Sequence, residues 1–216
     1  MKAIRIILLV LIVIGVALML TEDRWVPKAV NAILKSEGYS VAAPAPAADA
    51  STPGVSCFDS PEYFAIQKDN ADAPGSDIVI KKKSASDQQI ACAYSAAPGD
   101  FELKNLEAEY FLAFAGNFAL IDGGTGPEPR GLTVYGISSR KQVFADQYAK
   151  PVTEEGNVIS YWSPSAEKAT AANCPDIAQN ASEGLQSIIE LRVSVDLSVS
   201  APVKKPTGEA RCALSQ

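Results

Sequence analysis

The sequence predicts a mainly β domain, an antiparallel sandwich or barrel-like sheet with one or two short helices, preceded by a single N-terminal transmembrane or signal-anchor helix. Three observations lead there. Residues 189–199 alternate apolar positions (Ile189, Leu191, Val193, Val195, Leu197, Val199) with polar ones, the period of a strand with one wet face. Shorter apolar segments recur about every ten residues before it, separated by Gly, Pro, Asn and Asp. At the other extreme, residues 6–20 read IILLVLIVIGVALML and hold no charged or strongly polar side chain.

That apolar run has Lys2 and Arg5 before it and Glu22 and Asp23 after it. Basic residues on the near side keep residues 1–5 as a cytoplasmic stub and send the remainder across the membrane. Fifteen apolar residues also fit the core of a signal peptide, whereas a spanning helix needs about 20. The following ALMLTEDRW puts bulky Leu and Met where signal peptidase needs small residues, which favours an uncleaved anchor over residues 6–24. Residues 25–38 space Val26, Ala29, Val30, Ile33 and Leu34 at helical intervals, with Pro27 suited to a first turn and Gly38 to a stop: an amphipathic juxtamembrane helix. Residues 39–54 are rich in Ala and Pro and form an extended spacer. The folded domain then occupies 55–216.

Four cysteines, Cys57, Cys92, Cys174 and Cys212, all follow the apolar run, and no two are spaced as C-x-x-C. An even count on the translocated side predicts two disulfides in an oxidising compartment. Of three connectivities, Cys57 with Cys92 and Cys174 with Cys212 is preferred, because each closes a loop of moderate length. A metal site would need tighter spacing and usually histidine.

Histidine is absent altogether. That removes Ser-His-Asp and Cys-His nucleophiles and H-E-x-x-H zinc proteases, though carboxylate glycosidases and Ser-Lys hydrolases remain open. Beyond residue 40 there are 14 Lys and Arg against 22 Asp and Glu, a balance of −8 that argues against a nucleic-acid partner. The basic cluster at 81–83 reads as a solvated sheet edge.

Strands are expected at 63–67, 77–83, 88–95, 118–121, 131–138, 141–148 and 157–162. Helices are expected at 103–115, whose apolar EAEYFLAFAG suits either structure, and at 175–185, where proline, an early Asp and Gly184 bracket a turn or two.

The segment LIDGGTGPEPRGLTVY, residues 120–135, invites comparison with a phosphate-binding loop, but lacks the Lys-Ser/Thr pair and the following helix. It reads as a strand-loop-strand connection with Gly123, Gly124 and Gly126 supplying unusual backbone angles. Asp122, Thr125 and Arg130 join those glycines as candidate binding residues, with Asp122 and Arg130 placed either to pair or to face a partner. Glu107 with Glu109, and Glu154 with Glu155, are possible carboxylate pairs of the kind glycosidases use. DNADAPGSD at 69–77 fails the calcium-loop register and reads as a turn. Asn180-Ala181-Ser182 is a glycosylation sequon by letter.

The expectation is therefore a membrane-anchored extracytoplasmic protein that binds an envelope protein or polymer, with no catalytic residue, cofactor or metal called for. Its rivals are a histidine-free envelope hydrolase using carboxylates and a structural component of envelope assembly.

Overall fold

The computed structural model describes residues 53–84 and 90–215. The anchor at 6–24, the juxtamembrane helix at 25–38 and all but the end of the spacer lie outside the described residues. Among the described residues, no helix is long and apolar enough to cross a membrane.

The described chain is mainly β: two antiparallel sheets and one short helix. Strands β1 (Val55–Asp59), β2 (Tyr63–Asp69), β3 (Gly75–Lys82) and β4 (Phe101–Glu107) form a meander in sequence order. A second meander contains β5 (Glu109–Ala115), β6 (Phe118–Gly123), β7 (Arg130–Gly136), β8 (Lys141–Glu155), β9 (Val158–Pro164), β10 (Gln186–Asp196) and β11 (Lys204–Ser215). Between β9 and β10 lies the helix α1 (Ile177–Ser182). Neighbours in sequence are neighbours in each sheet, so short turns set every register but those of β4 and β10.

Strand β6 explains how the layers stack. Ala119 and Ile121 point to one face and are buried with Ile78, Ile80 and Phe101 of the first sheet. Leu120 points to the other and is buried with Leu132, Tyr148, Ile159, Tyr161 and Val193, all from its own sheet. The seven-stranded sheet is thus curled, with β5 approaching β8 across its concave side, and β6 is covered on both faces. This is why FALI is a continuous apolar run while β10 alternates. Each fully buried Ile or Leu here contributes about 1.5–3 kcal/mol relative to exposure.

Three expectations need correction. The helix expected at 103–115 is two strands, β4 and β5, divided at Ala108, whose φ of 55° breaks the run. Its apolar side chains meet helical spacing, but two sheets offer them more burial than one helix face. The strand expected at 88–95 is not one over its described part, 90–95. Lys81–Lys83 do not guard an edge: β3 is an interior strand, Lys81 pairs with Asp100 and Lys83 with Asp59. The sequence reading also missed β11, and β8 runs on to residue 155.

Two disulfides join Cys57 to Cys92 and Cys174 to Cys212. The first ties β1 to the segment between β3 and β4. The second fastens the segment between β9 and β10 onto β11, at the position that pairs with Ile189.

Candidate functional site

Strands β6 and β7 carry the glycine-rich connection between them. Asp122 lies opposite Leu132 and Gly123 opposite Gly131, so the ladder holds both ends of the loop. Across its base, Arg130 Nε donates to Asp122 Oδ1 at 2.7 Å, and Arg130 Nη1 reaches Gly126 O at 3.3 Å. Asp122 is only 7% exposed. The guanidinium is pushed above its ordinary pKa by that hydrogen bond, which outweighs burial. Of the two roles open to Asp122 and Arg130, pairing is the one adopted.

The loop is tied to two others. The Gly124 N–H donates to Ala108 O at 2.7 Å and the Ala108 N–H to Pro74 O at 3.0 Å, so the β2–β3, β4–β5 and β6–β7 connections are stitched in series. Glu128 Oε1 accepts the Lys150 N–H at 3.0 Å. Of the three glycines, Gly124 carries the left-handed angle, φ 114°, while Gly123 ends β6. Thr125 and Gly126 remain exposed at the tip.

Behind this base the concave face holds polar groups that sequence reading missed. Tyr148 is buried, and among the described residues its hydroxyl has no partner in hydrogen-bonding geometry, although the Asp122 carboxylate lies beside it. Burial first, then the nearby Asp122 carboxylate, push this phenol well above its ordinary pKa. Tyr161, packed edge-on against Tyr148 with ring centroids 6.4 Å apart, donates to Asp146 Oδ2 at 2.9 Å. Ser163 Oγ also donates to Asp146, at 3.1 Å, and Lys204 Nζ donates to both Asp146 oxygens and to Ser163 Oγ at 2.9–3.0 Å. The signal lay in the alternation: Asp146 and Tyr148 on β8, like Tyr161 and Ser163 on β9, are two apart and share a face.

Ser163 beside Lys204 has the elements of a histidine-free hydrolase, but not the roles. In such a dyad the lysine accepts the serine's proton; here Lys204 is ion-paired with Asp146 at 2.9 Å, and Ser163 is 2% exposed. The group clasps β11 to β8 and β9.

The convex face carries a second polar group. Arg211 lies 4.5 Å and Arg192 5.7 Å from the Trp162 ring centre, and Arg211 Nε binds the buried Glu190 carboxylate at 2.7 Å.

Each expected carboxylate pair is divided between an exposed and a partly buried member. Glu107 is exposed at the end of β4 and Glu109 half-buried at the start of β5, raised by burial above its ordinary pKa. Glu154 and Glu155 are consecutive in β8 and face opposite sides; burial raises the Glu154 carboxyl to about 7. The DNADAPGSD segment makes the β2–β3 turn, and Asn180 lies in α1, donating to Ser187 Oγ at 3.0 Å. Among the described residues, no group of three or more His, Cys, Asp or Glu is placed to hold a metal ion.

No protein family, no curated protein and no solved structure matches this chain.

Proposed function

We propose that the chain is a membrane-anchored extracytoplasmic binding protein whose domain holds an envelope protein or polymer at its loop end, without catalysis. The stitched loops carry this reading. Asp122, Gly123, Gly124, Thr125, Gly126 and Arg130 form a connection whose base is an ion pair and whose side is hydrogen-bonded to a neighbouring turn, leaving its tip exposed. Fixed loops on a β scaffold lose little entropy when they bind. Two disulfides support an oxidising compartment, and the apolar run at residues 6–20 supports the anchor.

The test is affinity capture from solubilised membranes with the full chain, comparing the parent with Thr125→Trp at the tip. A partner retained by the parent and lost by the variant supports the reading. Equal retention, or turnover of a glycan or ester by the purified chain, overturns it.

A further inference from the structure

The geometry points to strand addition at β4: the open backbone edge of Phe101–Glu107 takes an extended segment of a partner protein, with a basic side chain of that segment seated at Glu109. This names the partner chemistry for the reading above and rests on it.

Strand β4 ends the four-stranded sheet, pairing with β3 on one side. Among the described residues no strand is laid along its other side, and its backbone makes no hydrogen bond to the rest of the main chain beyond the β3 ladder. Such an edge is a template for another strand.

The remaining edges are poorer templates. β1 is five residues long and its Cys57 is bridged to Cys92. β11 opens with Lys204, Lys205 and Pro206, then turns at Gly208 with φ 97°. β5, the far edge of the second sheet, lies against β2 and β3.

Beneath the open edge there is room. β4 is pinned over the second sheet at both ends: Arg140 Nη2 donates to Gly99 O at 2.8 Å, and the Gly124 N–H to Ala108 O. Phe101 packs edge-on to Tyr135 of β7, ring centroids 5.9 Å apart. On the same face beyond it lie Gly131 opposite Gln147 and Thr133 opposite Ala145, half or fully exposed. The short Gly131, Thr133 and Ala145 leave space for the side chains of an added strand.

Charge chooses the partner. Glu109 lies opposite Gly123, whose neighbour is Gly131, so its carboxylate borders this floor. Among the described residues it has neither ion pair nor side-chain hydrogen bond, and its raised pKa reflects burial without compensation. Glu107 stands exposed nearby, and the chain beyond residue 40 carries −8. A lysine or arginine of the added strand supplies the missing charge.

The experiment uses the full chain in detergent and an end-blocked heptapeptide of alternating lysine and threonine, read by hydrogen exchange and by calorimetry. Amides within residues 101–107 are expected to slow at least tenfold with peptide, those of β1 and β11 to stay unchanged, and Glu109→Gln to raise Kd about fivefold. A second peptide with proline replacing each threonine, unable to complete a ladder, is expected to lose binding. Protection of β1 or β11 instead, equal binding by the proline peptide, no effect of Glu109→Gln, or no binding overturns strand addition. A partner captured from membranes through Thr125 without protection at β4 leaves the binding reading standing and sinks this one alone.

Discussion

Arg130 Nε and Asp122 Oδ1 stand 2.7 Å apart across the mouth of the glycine-rich loop, and both side chains are more than four-fifths shielded from solvent. Arg130→Ala leaves a buried carboxylate without its cation. Loss of one partner of such a pair costs about 3 kcal/mol, more than the pair itself contributes, because desolvation of the survivor is no longer offset. Urea denaturation is expected to show that loss for Arg130→Ala, and a smaller one for the double variant Asp122→Asn with Arg130→Met. Equal losses would mean that the pair is solvated.

Two tyrosines on one face make a contrasting pair. Tyr161 donates to Asp146 at 2.9 Å, whereas the buried Tyr148 hydroxyl, with the Asp122 carboxylate beside it, has no partner in hydrogen-bonding geometry among the described residues. Tyr161→Phe is expected to lower stability by about 2 kcal/mol, the value of a hydrogen bond to a charged group. Tyr148→Phe is expected to be neutral or stabilising by about 1 kcal/mol, since it removes a desolvated polar atom. Thermal unfolding of the two variants reads the difference directly.

Glu154 sets a pH dependence. Its folded pKa is raised to about 7 from an ordinary 4.5, by burial. The folded state therefore holds this proton where the unfolded state has released it, and stability falls as pH rises from about 4.5 to about 7 before levelling. Screening at a half-exposed side chain leaves an effect of about 1 kcal/mol. Glu154→Gln is expected to remove this slope, raising stability at pH 8 relative to parent more than at pH 4; denaturation midpoints at the two pH values check it.

The disulfides span 35 and 38 residues. On the chain-entropy account each stabilises by about 4 kcal/mol through the unfolded state. Titration of the denatured native protein is expected to find no free thiol and, after reduction, four. Cys174→Ala with Cys212→Ala is expected to lower the unfolding midpoint sharply while the clasp of Lys204 on Asp146 keeps β11 in place, visible as unchanged exchange in residues 204–207.

Some of the fold was legible because a single environment wrote it. Along β10 one face meets the concave core and the other carries the polar Glu190, Arg192 and Ser194, with Glu190 buried under Arg211, so alternation survives in the letters. β11 was illegible for the opposite reason: residues 204–210 are exposed, so its lysines, proline and glycine face no selection for an apolar face, and β10 supplies the ladder. Residues 103–115 misled because apolar side chains three and four apart serve a helix as readily as two strands divided at Ala108. At the loop, Asp122 and Arg130 could be named but their contact could not, since it depends on the register of β6 against β7.

By itself the sequence determined what composition and local pattern carry: a β domain, a chain without histidine chemistry, an even set of cysteines after an apolar run, and a loop too poor in phosphate-binding features to serve as one. Only the tertiary structure decided that Lys204 reaches Asp146 across fifty-eight residues, that β6 is covered on both faces, and that β4 has no second neighbouring strand among the described residues. The division follows from range: propensity and periodicity act between residues a few positions apart, whereas burial, pairing and exposure are settled by which distant strands the folded chain lays side by side.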